Sequence, residues 1–415
     1  MLNIAILGFG NIGSGVADVF IENESVISNK MGDTVNVKYI LDIREIKNHP
    51  LSDRYVKDFD IILNDPEISL LVETIGGCTF AYKYTKAALE KGISVVTSNK
   101  ELVATYGAEL LKIAAETEAR YFFEASVGGG IPIIRPIYNC LAANKINKIT
   151  AILNGTTNFI LTKMSSEEWD FETALNTAQE LGYAEADPSD DVDGKDSCRK
   201  ICILSSLAFG RQLPPDKVHT EGIRDITLED IKNAEKLGFK IKLIAKSQKI
   251  KDSEDSIYVI TAPMLVSKSS PLYNIDDVFN GIGVTGNVVG DVMFYGPGAG
   301  KLPTASAVAA DVMDALAKNT ENMMWDTSDG GYVSDYRNAP CGYYIHVDFN
   351  PDFISQNSAF DLIADCLPQA DIFKSQTHNK ELFFTIDSLN ENEVNEKINL
   401  ISKSGLNIVS KIRIL

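Results

Sequence analysis

Six carboxylates, Glu185, Asp187, Asp190, Asp191, Asp193 and Asp196, fall within twelve residues, and Lys200 follows four positions later. Acidic side chains at that density bind a cation or an ammonium group. An EF-hand is excluded, because a register on Gly194 puts Ser189 at the first ligand position and Lys200 where the closing Glu must stand. A solvated loop is the plainer alternative. Against it, the next stretch (Ile201, Cys202, Ile203, Leu204, Leu207, Ala208, Phe209) is apolar nearly all round and must be buried, drawing its first turns inward. Asp193 and Asp196 also fit a capping-box-like pair, and Asp196 and Lys200 fit an ion pair on one helix face. The chemical alternative is an acid–base lysine: a helix N-terminus and apolar surface push Lys200 towards neutrality while neighbouring carboxylates push it back. Spacing leaves these readings open.

Gly8-Phe9-Gly10-Asn11-Ile12-Gly13 follows an apolar strand and opens a helix. Glycines there permit a tight turn and let a pyrophosphate rest on helix N-terminal amides. The second strand ends at Asp42, placed to bond the adenosine ribose and to repel a 2′-phosphate, which favours NAD; Arg44 two residues on is placed to grip that phosphate instead. Ser98-Asn99-Lys100 lies past a parallel strand's carboxyl end, where Lys100 meets cofactor or substrate or is simply solvated. Glu124 with the carbonyls of the Val127–Ile131 stretch offers a site for a hard monovalent cation, with a glycine hinge as the alternative. Gly296-Pro-Gly298-Ala-Gly300-Lys301-Leu302 lacks the Ser or Thr of a P-loop but precedes a helix, so backbone contact with an anion or cofactor remains.

Positioning these segments requires an α/β framework. Residues 1–130 alternate strand-like runs (Asn3–Leu7, Val35–Leu41, Ser69–Glu73, Ser94–Thr97, Arg120–Ala125) with amphipathic helices, the grammar of a doubly wound parallel sheet. Residues 131–302 mix longer strands (Lys148–Leu153, Ser256–Pro263, Gly283–Phe294) with helices such as Phe171–Leu181, as in an α+β domain. A helix at 303–320 completes the first domain, Thr327–Pro340 looks like a linker, and 341–415 read strand, helix, strand, strand, helix, strand.

Composition narrows the function. A net charge of −18 repels nucleic acid and anionic membranes and suits a cationic or zwitterionic small ligand. No run is long enough to span a membrane and no signal peptide is read, so the expected location is the cytoplasm. The cysteines are scattered and read as buried thiols. His49, His219, His346 and His378 stand away from every cluster, which leaves proton transfer to Lys, Asp, Glu or Tyr.

Together these segments resemble homoserine dehydrogenase. The resemblance rests on Thr97-Ser-Asn-Lys100, Asn154-Gly-Thr-Thr-Asn-Phe159, Gly182-Tyr-Ala-Glu185-Ala-Asp187-Pro, the Asp191–Lys200 run and Gly296–Thr304. It implies a doubly wound Rossmann domain, a substrate-binding and dimerisation domain and a C-terminal ACT-like domain, in a monofunctional enzyme acting as a homo-oligomer. It implies NAD(P)-dependent interconversion of L-homoserine and L-aspartate 4-semialdehyde on the route to threonine and methionine. Lys200 would relay the proton, Lys100 would assist, and Glu185, Asp191 and Asp196 would hold the amino acid. Gly8, Phe9, Gly10, Asn11, Ile12, Gly13, Asp42, Lys100, Gly182 and Gly298 would meet the dinucleotide, and Glu124, Val127, Gly129 and Ile131 would bind sodium. Leu41 stands where many relatives carry Arg, which weakens the case for NADP. The first loop of the C-terminal module lacks the Asp-x-Pro-Gly turn, which predicts subunit contact rather than threonine sensing, with deletion after Asp335 leaving the chemistry in place. The rival readings are a non-catalytic dinucleotide-binding amino-acid sensor, which would need no acidic cluster ending in Lys200, and a Rossmann oxidoreductase for another amino-acid aldehyde.

Overall fold

A parallel strand covered by helices on both faces has no polar side to show, so its sequence reads as a continuous apolar run. In the computed structural model, which describes residues 1–45, 49–251, 253, 255–317, 321–374 and 380–415, such runs form β1 (Leu2–Leu7), β2 (Val35–Leu41), β3 (Tyr55–Val56), β4 (Ile68–Glu73), β5 (Ser94–Thr97) and β6 (Tyr121–Phe122). All pair in parallel, in the order β3-β2-β1-β4-β5-β6. Ile4 to Leu7 and Leu70 to Val72 are fully buried. Strand order reverses about β1, and the crevice beyond the carboxyl ends of β1 and β4 is where such sheets bind ligands.

Contacts divide the chain into two units: residues 1–149, 198–218 and 280–331 form one, and 150–197, 219–279 and 332–415 the other. This differs from the expected division at 130 and 302, because the middle of the chain is shared between the units. In the first unit, the helices Asn11–Glu22 (α1), Glu24–Met31 (α2), Phe59–Leu63 (α3), Thr79–Glu90 (α4) and Lys100–Glu116 (α5) link the strands. The helix Lys301–Ala317 packs on α1 so closely that a Cβ on Gly15 would lie 2.9 Å from the Lys301 side chain; the end of the expected helix, 318–320, lies outside the described residues. The expected last strand Arg120–Ala125 is shorter, because the chain turns at Glu124–Ser126. The expected single strand Gly283–Phe294 is a hairpin, Phe279–Gly286 and Gly290–Pro297, turned where Gly290 takes φ +76°.

The second unit holds a mixed sheet. Its strands run Phe239–Lys249, Ile257–Ser267, Leu406–Ile414, Cys341–Phe349, Glu381–Leu389 and Asp371–Lys374 in spatial order. The last four, with the helices Gln356–Cys366 and Glu391–Lys403, form the expected βαββαβ module in the order 4-1-3-2; the expected end of its second strand, 375–376, lies outside the described residues. The module has a buried core of its own, built around Tyr343, Ile345, Val347, Phe384 and Ile401, but it is also joined to the rest of the unit. Its last strand pairs in parallel with Ile257–Ser267, through Arg413 opposite Met264 and Ile414 opposite Leu265. Tyr344, Phe383 and Ile412 share one buried cluster with Phe159, Ile160 and Leu161. The expected linker is itself tied down: Ile257 N–H donates to Tyr332 O at 3.1 Å, and Ser334 N–H to Ile257 O at 2.9 Å. The cysteines are all free, but only Cys198 and Cys202 are buried, and Cys140 is exposed.

Deletion after Asp335 therefore has a different expected outcome from the one the sequence suggests. It strips Tyr344, Phe383 and Ile412 from the core, and losses of about 2–5 kcal/mol for each large side chain removed are comparable with the whole stability of a domain. The truncated chain should bind a hydrophobic dye and lose its cooperative melting transition. A wild-type melting temperature after truncation would show that the module is an appendage.

Candidate active site

The glycine turn after β1 is built from backbone contacts. Gly8 takes φ +87°, and a Cβ there would sit 2.8 Å from Thr74 O, while one on Gly13 would sit 2.0 Å from Gly8 O. The Thr74 hydroxyl donates to Gly8 O at 2.7 Å, and Phe9 N–H donates to Asp42 Oδ2 at 2.7 Å, so the turn is clamped between the ends of β2 and β4. No side chain caps the start of α1, which leaves its first amides facing the crevice. A cleft of about 830 Å³ opens here, lined by Gly8, Gly10, Asp42, Arg44, Lys57 and Tyr84. Its size, its glycine floor and the Asp42 carboxylate lining it fit a dinucleotide. Phe9, Asn11, Ile12 and Gly13 belong to the same turn and helix start.

Burial works against the Asp42 carboxylate, but hydrogen bonds from Arg44 and from the Arg44 and Phe9 amides outweigh it and hold the group below the usual range. Arg44 Nε lies 3.2 Å from Asp42 Oδ1 while its side chain stays largely exposed. Lys57 gives the cleft a second cation, unnoticed in sequence because nothing local marks it.

Lys100 is the first residue of α5, and the side chain before it explains its placement. Asn99 Oδ1 caps the helix by accepting from Leu102 N–H at 3.0 Å, and its Nδ2 donates to Ile75 O and Gly77 O at 3.1 and 2.8 Å. Beneath it, Glu73 is fully buried and accepts from Ile75 N–H and the Thr97 hydroxyl, each at 2.6 Å. Burial pushes its carboxyl up to about 7.

The Gly296–Gly300 loop backs onto the Gly128–Gly130 turn. A Cβ on Gly129 would lie 2.5 Å from Gly298 O, and one on Gly298 would strike the Asn280 amide. Glu124, expected as a sodium ligand, spends its carboxylate on protein: Oε1 accepts from the Ile133 and Ile134 amides at 2.6 and 2.7 Å, and Oε2 from Arg135 N–H at 2.8 Å and Nε at 3.3 Å. A carboxylate so saturated, with a guanidinium beside it, does not fit a cation. Only backbone oxygens of Glu124, Val127, Gly129 and Ile131 are left for that role, and among the described residues no group of three or more His, Cys, Asp or Glu is arranged to hold a metal.

In the second unit, the acidic run gathers at the start of the helix Gly155–Ser166. Asn154 caps that helix, its Oδ1 accepting from Thr157 N–H at 2.8 Å, while its Nδ2 donates to Asp191 Oδ1 at 2.7 Å and to Asp196 Oδ2 at 3.0 Å. The Thr156 hydroxyl donates to Tyr183 O at 2.7 Å, which fastens the Gly182–Glu185 turn to the same helix end. Gly182 takes φ +75° with open space around it, and Glu185 is exposed. Asp196 is buried, and Lys200 follows one turn later in the helix Lys195–Phe209. The other carboxylates divide by role. Asp187 accepts from Ser189, and Asp193 Oδ1 accepts from Arg224 Nε at 2.6 Å. Asn154 was visible as part of a motif, but its bridging role was not.

Behind this helix end, Asn158 Nδ2 donates to Ile275 O, Asp277 O and Phe279 O, and its Oδ1 accepts from Lys242 Nζ at 3.0 Å. Lys242 is almost wholly buried. That burial pushes its amine down, opposed by Asp276 at 2.9 Å.

Comparison with known proteins agrees with this geometry. The family described as Homoserine dehydrogenase matches residues 132–313, and that described as Homoserine dehydrogenase, NAD binding domain, matches 8–124. A homoserine dehydrogenase of Lactococcus lactis is 39% identical over 77% of this chain and 75% of its own length. The crystal structure of a homoserine dehydrogenase from Thiobacillus denitrificans superposes with a TM-score of 0.88 at 31% identity, over 100% of this chain and 98% of that one. A hyperthermophilic archaeal homoserine dehydrogenase in complex with NADPH superposes with a TM-score of 0.65 at 31% identity, over 77% of this chain and 99% of that one.

Proposed function

The chain belongs to the homoserine dehydrogenase family, NAD(P)-dependent oxidoreductases that interconvert L-homoserine and L-aspartate 4-semialdehyde, and we propose that Lys200 carries the proton in that reaction. The observation that carries the reading is Asn154 holding Asp191 and Asp196 together at a helix start, with Lys200 one turn beyond Asp196 in the same helix. A dinucleotide held in the cleft would supply the hydride acceptor for the carbinol carbon in the oxidative direction. As that bond breaks, the hydroxyl proton must leave, and Lys200, buried and next to the acidic run, takes it; in reduction it returns the proton to the alkoxide. Glu185, Asp191 and Asp196 hold the substrate ammonium group by opposite charge, and Lys100 at the head of α5 assists at the carboxyl edge of the sheet. Gly8 to Gly13 with Asp42, Gly182 and Gly298 hold the dinucleotide. The Glu124 carboxylate takes no part in cation binding in this reading, and no step depends on sodium.

Lys200→Ala should lower turnover by about 10²–10⁴-fold with coenzyme binding intact, and Glu185→Gln should weaken homoserine binding more than coenzyme binding. Near wild-type turnover in folded Lys200→Ala protein would sink the assignment.

NAD is the better coenzyme in this reading, because the Asp42 carboxylate would repel a 2′-phosphate, while Arg44 and Lys57, which also line the cleft, would make NADP usable. We expect kcat/KM to favour NAD and Arg44→Ala to reduce NADP use more than NAD use. A clear NADP preference in the wild type would overturn this.

The enzyme is further read as a cytoplasmic homo-oligomer. Six free thiols suit a reducing compartment, and the hairpin 279–297 stands at the end of its sheet with Val288, Val289, Met293 and Tyr295 exposed. Sedimentation should show a dimer or larger that Tyr295→Asp weakens; a monomeric wild type would refute the assignment.

A further inference from the structure

We propose that Arg413, two residues from the end of the chain, is a positioning residue for the dehydrogenase reaction: through Glu221 it holds the stretch 221–224 against 192–194 and so fixes the site of Asp191 and Asp196. The proposal rests on reading those two carboxylates as the substrate site.

Arg413 is 5% exposed. Its Nη1 donates to Glu221 Oε2 at 2.8 Å, and its Nη2 and Nε donate to Glu391 Oε2 at 2.7 and 3.2 Å. Its guanidinium lies over the Tyr336 ring, on whose ring His219 also stacks at 4.1 Å. His219 Nε2 stands 2.6 Å from Glu221 Oε1, so both Glu221 oxygens are engaged, from two different elements. The guanidinium is therefore fixed by charge, by two N–H bonds to one Glu391 oxygen and by an aromatic face, and it fixes Glu221 in turn.

From Glu221 onwards the contacts pass through backbone. Glu221 N–H donates to Thr261 O at 2.8 Å, and its own carbonyl lies so close to Gly194 that a Cβ there would be 2.9 Å away. A Cβ on Gly222 would lie 2.3 Å from Val192 O and 2.7 Å from the Asp193 Cα. Ile223 N–H donates to Val192 O at 2.8 Å, and Arg224 Nε reaches Asp193 Oδ1 at 2.6 Å. Because the approaches at Gly194 and Gly222 are backbone on backbone, a shift of Glu221 is handed to residues 192–194. That segment lies between Asp191 and Asp196, whose oxygens must both meet the one Asn154 amide.

Removing the guanidinium leaves neither carboxylate alone, since Glu221 keeps His219 and Glu391 keeps Lys411 at 2.7 Å. Arg413→Met is therefore expected to fold and to raise the homoserine KM about five- to twentyfold, with coenzyme Kd unchanged within about twofold. Arg413→Lys should recover part of the loss. Glu221→Gln should act in the same direction, and the double variant should be no worse than Arg413→Met alone, because both break one link. If Arg413→Met does not fold, Glu221→Gln carries the same comparison. Equal weakening of homoserine and coenzyme, or strictly additive losses, would overturn the proposal. Asp191→Asn separates the two readings: a raised homoserine KM there beside an unchanged one in Arg413→Met refutes this inference alone, and an unchanged KM in Asp191→Asn refutes the substrate site itself.

Discussion

Two carboxylates set side by side repel, and they stay together only where donors meet both. The Asn154 amide supplies one donor to each with its two N–H bonds, while its carbonyl oxygen is spent on the helix cap at Thr157. Every part of the side chain is thereby committed, and the amide can face only one way. The helix start must then be immobile as well. Gly155 lies where a Cβ would be 2.8 Å from Val278 O. On the helix's next turn, Asn158 and the buried Lys242 lock the 275–279 stretch.

The dinucleotide cleft reaches rigidity by a different physical route. Its floor is backbone packed on backbone at Gly8, Gly13 and Thr74, and its rim is fixed by Asp42 bonding back to the Phe9 amide. A glycine turn with no side chains has no entropy of rotamers to lose and lets a ligand approach the amides directly. The carboxylate cluster, by contrast, is built from side chains, whose orientation has to be fixed elsewhere in the fold. That contrast explains why the first site is written in a short local motif while the second draws on segments far apart in the chain.

Legibility in the sequence follows the same line. The parallel sheet was readable because buried strands such as Leu2–Leu7 are apolar but for Asn3, and the acidic run because its density is local. The strand Phe239–Lys249 was missed: Lys240, Lys242 and Lys246 interrupt its pattern, and nothing nearby says that Lys242 is buried against Asp276. The hairpin at 279–297 read as one strand because only Gly290, among several glycines, turns the chain. The commitment of the Glu124 carboxylate to the Ile133 and Ile134 amides was equally invisible, since an acid's partners on the backbone leave no mark on composition.

The C-terminal module shows the limit most plainly. Its βαββαβ order can be counted off from periodicity, but whether such a module stands alone depends on the free edge of the neighbouring sheet, a property of another segment entirely. Here the strand Ile257–Ser267 offers that edge, and the last strand takes it. The family matches end at residue 313, so they identify the reaction without reaching Tyr344, Phe383, Ile412 or Arg413. Those later residues close the core beneath the helix Gly155–Ser166 and reach Glu221. The family is thus named by one part of the chain, while the core beneath the helix that Asn154 caps is closed in part by another.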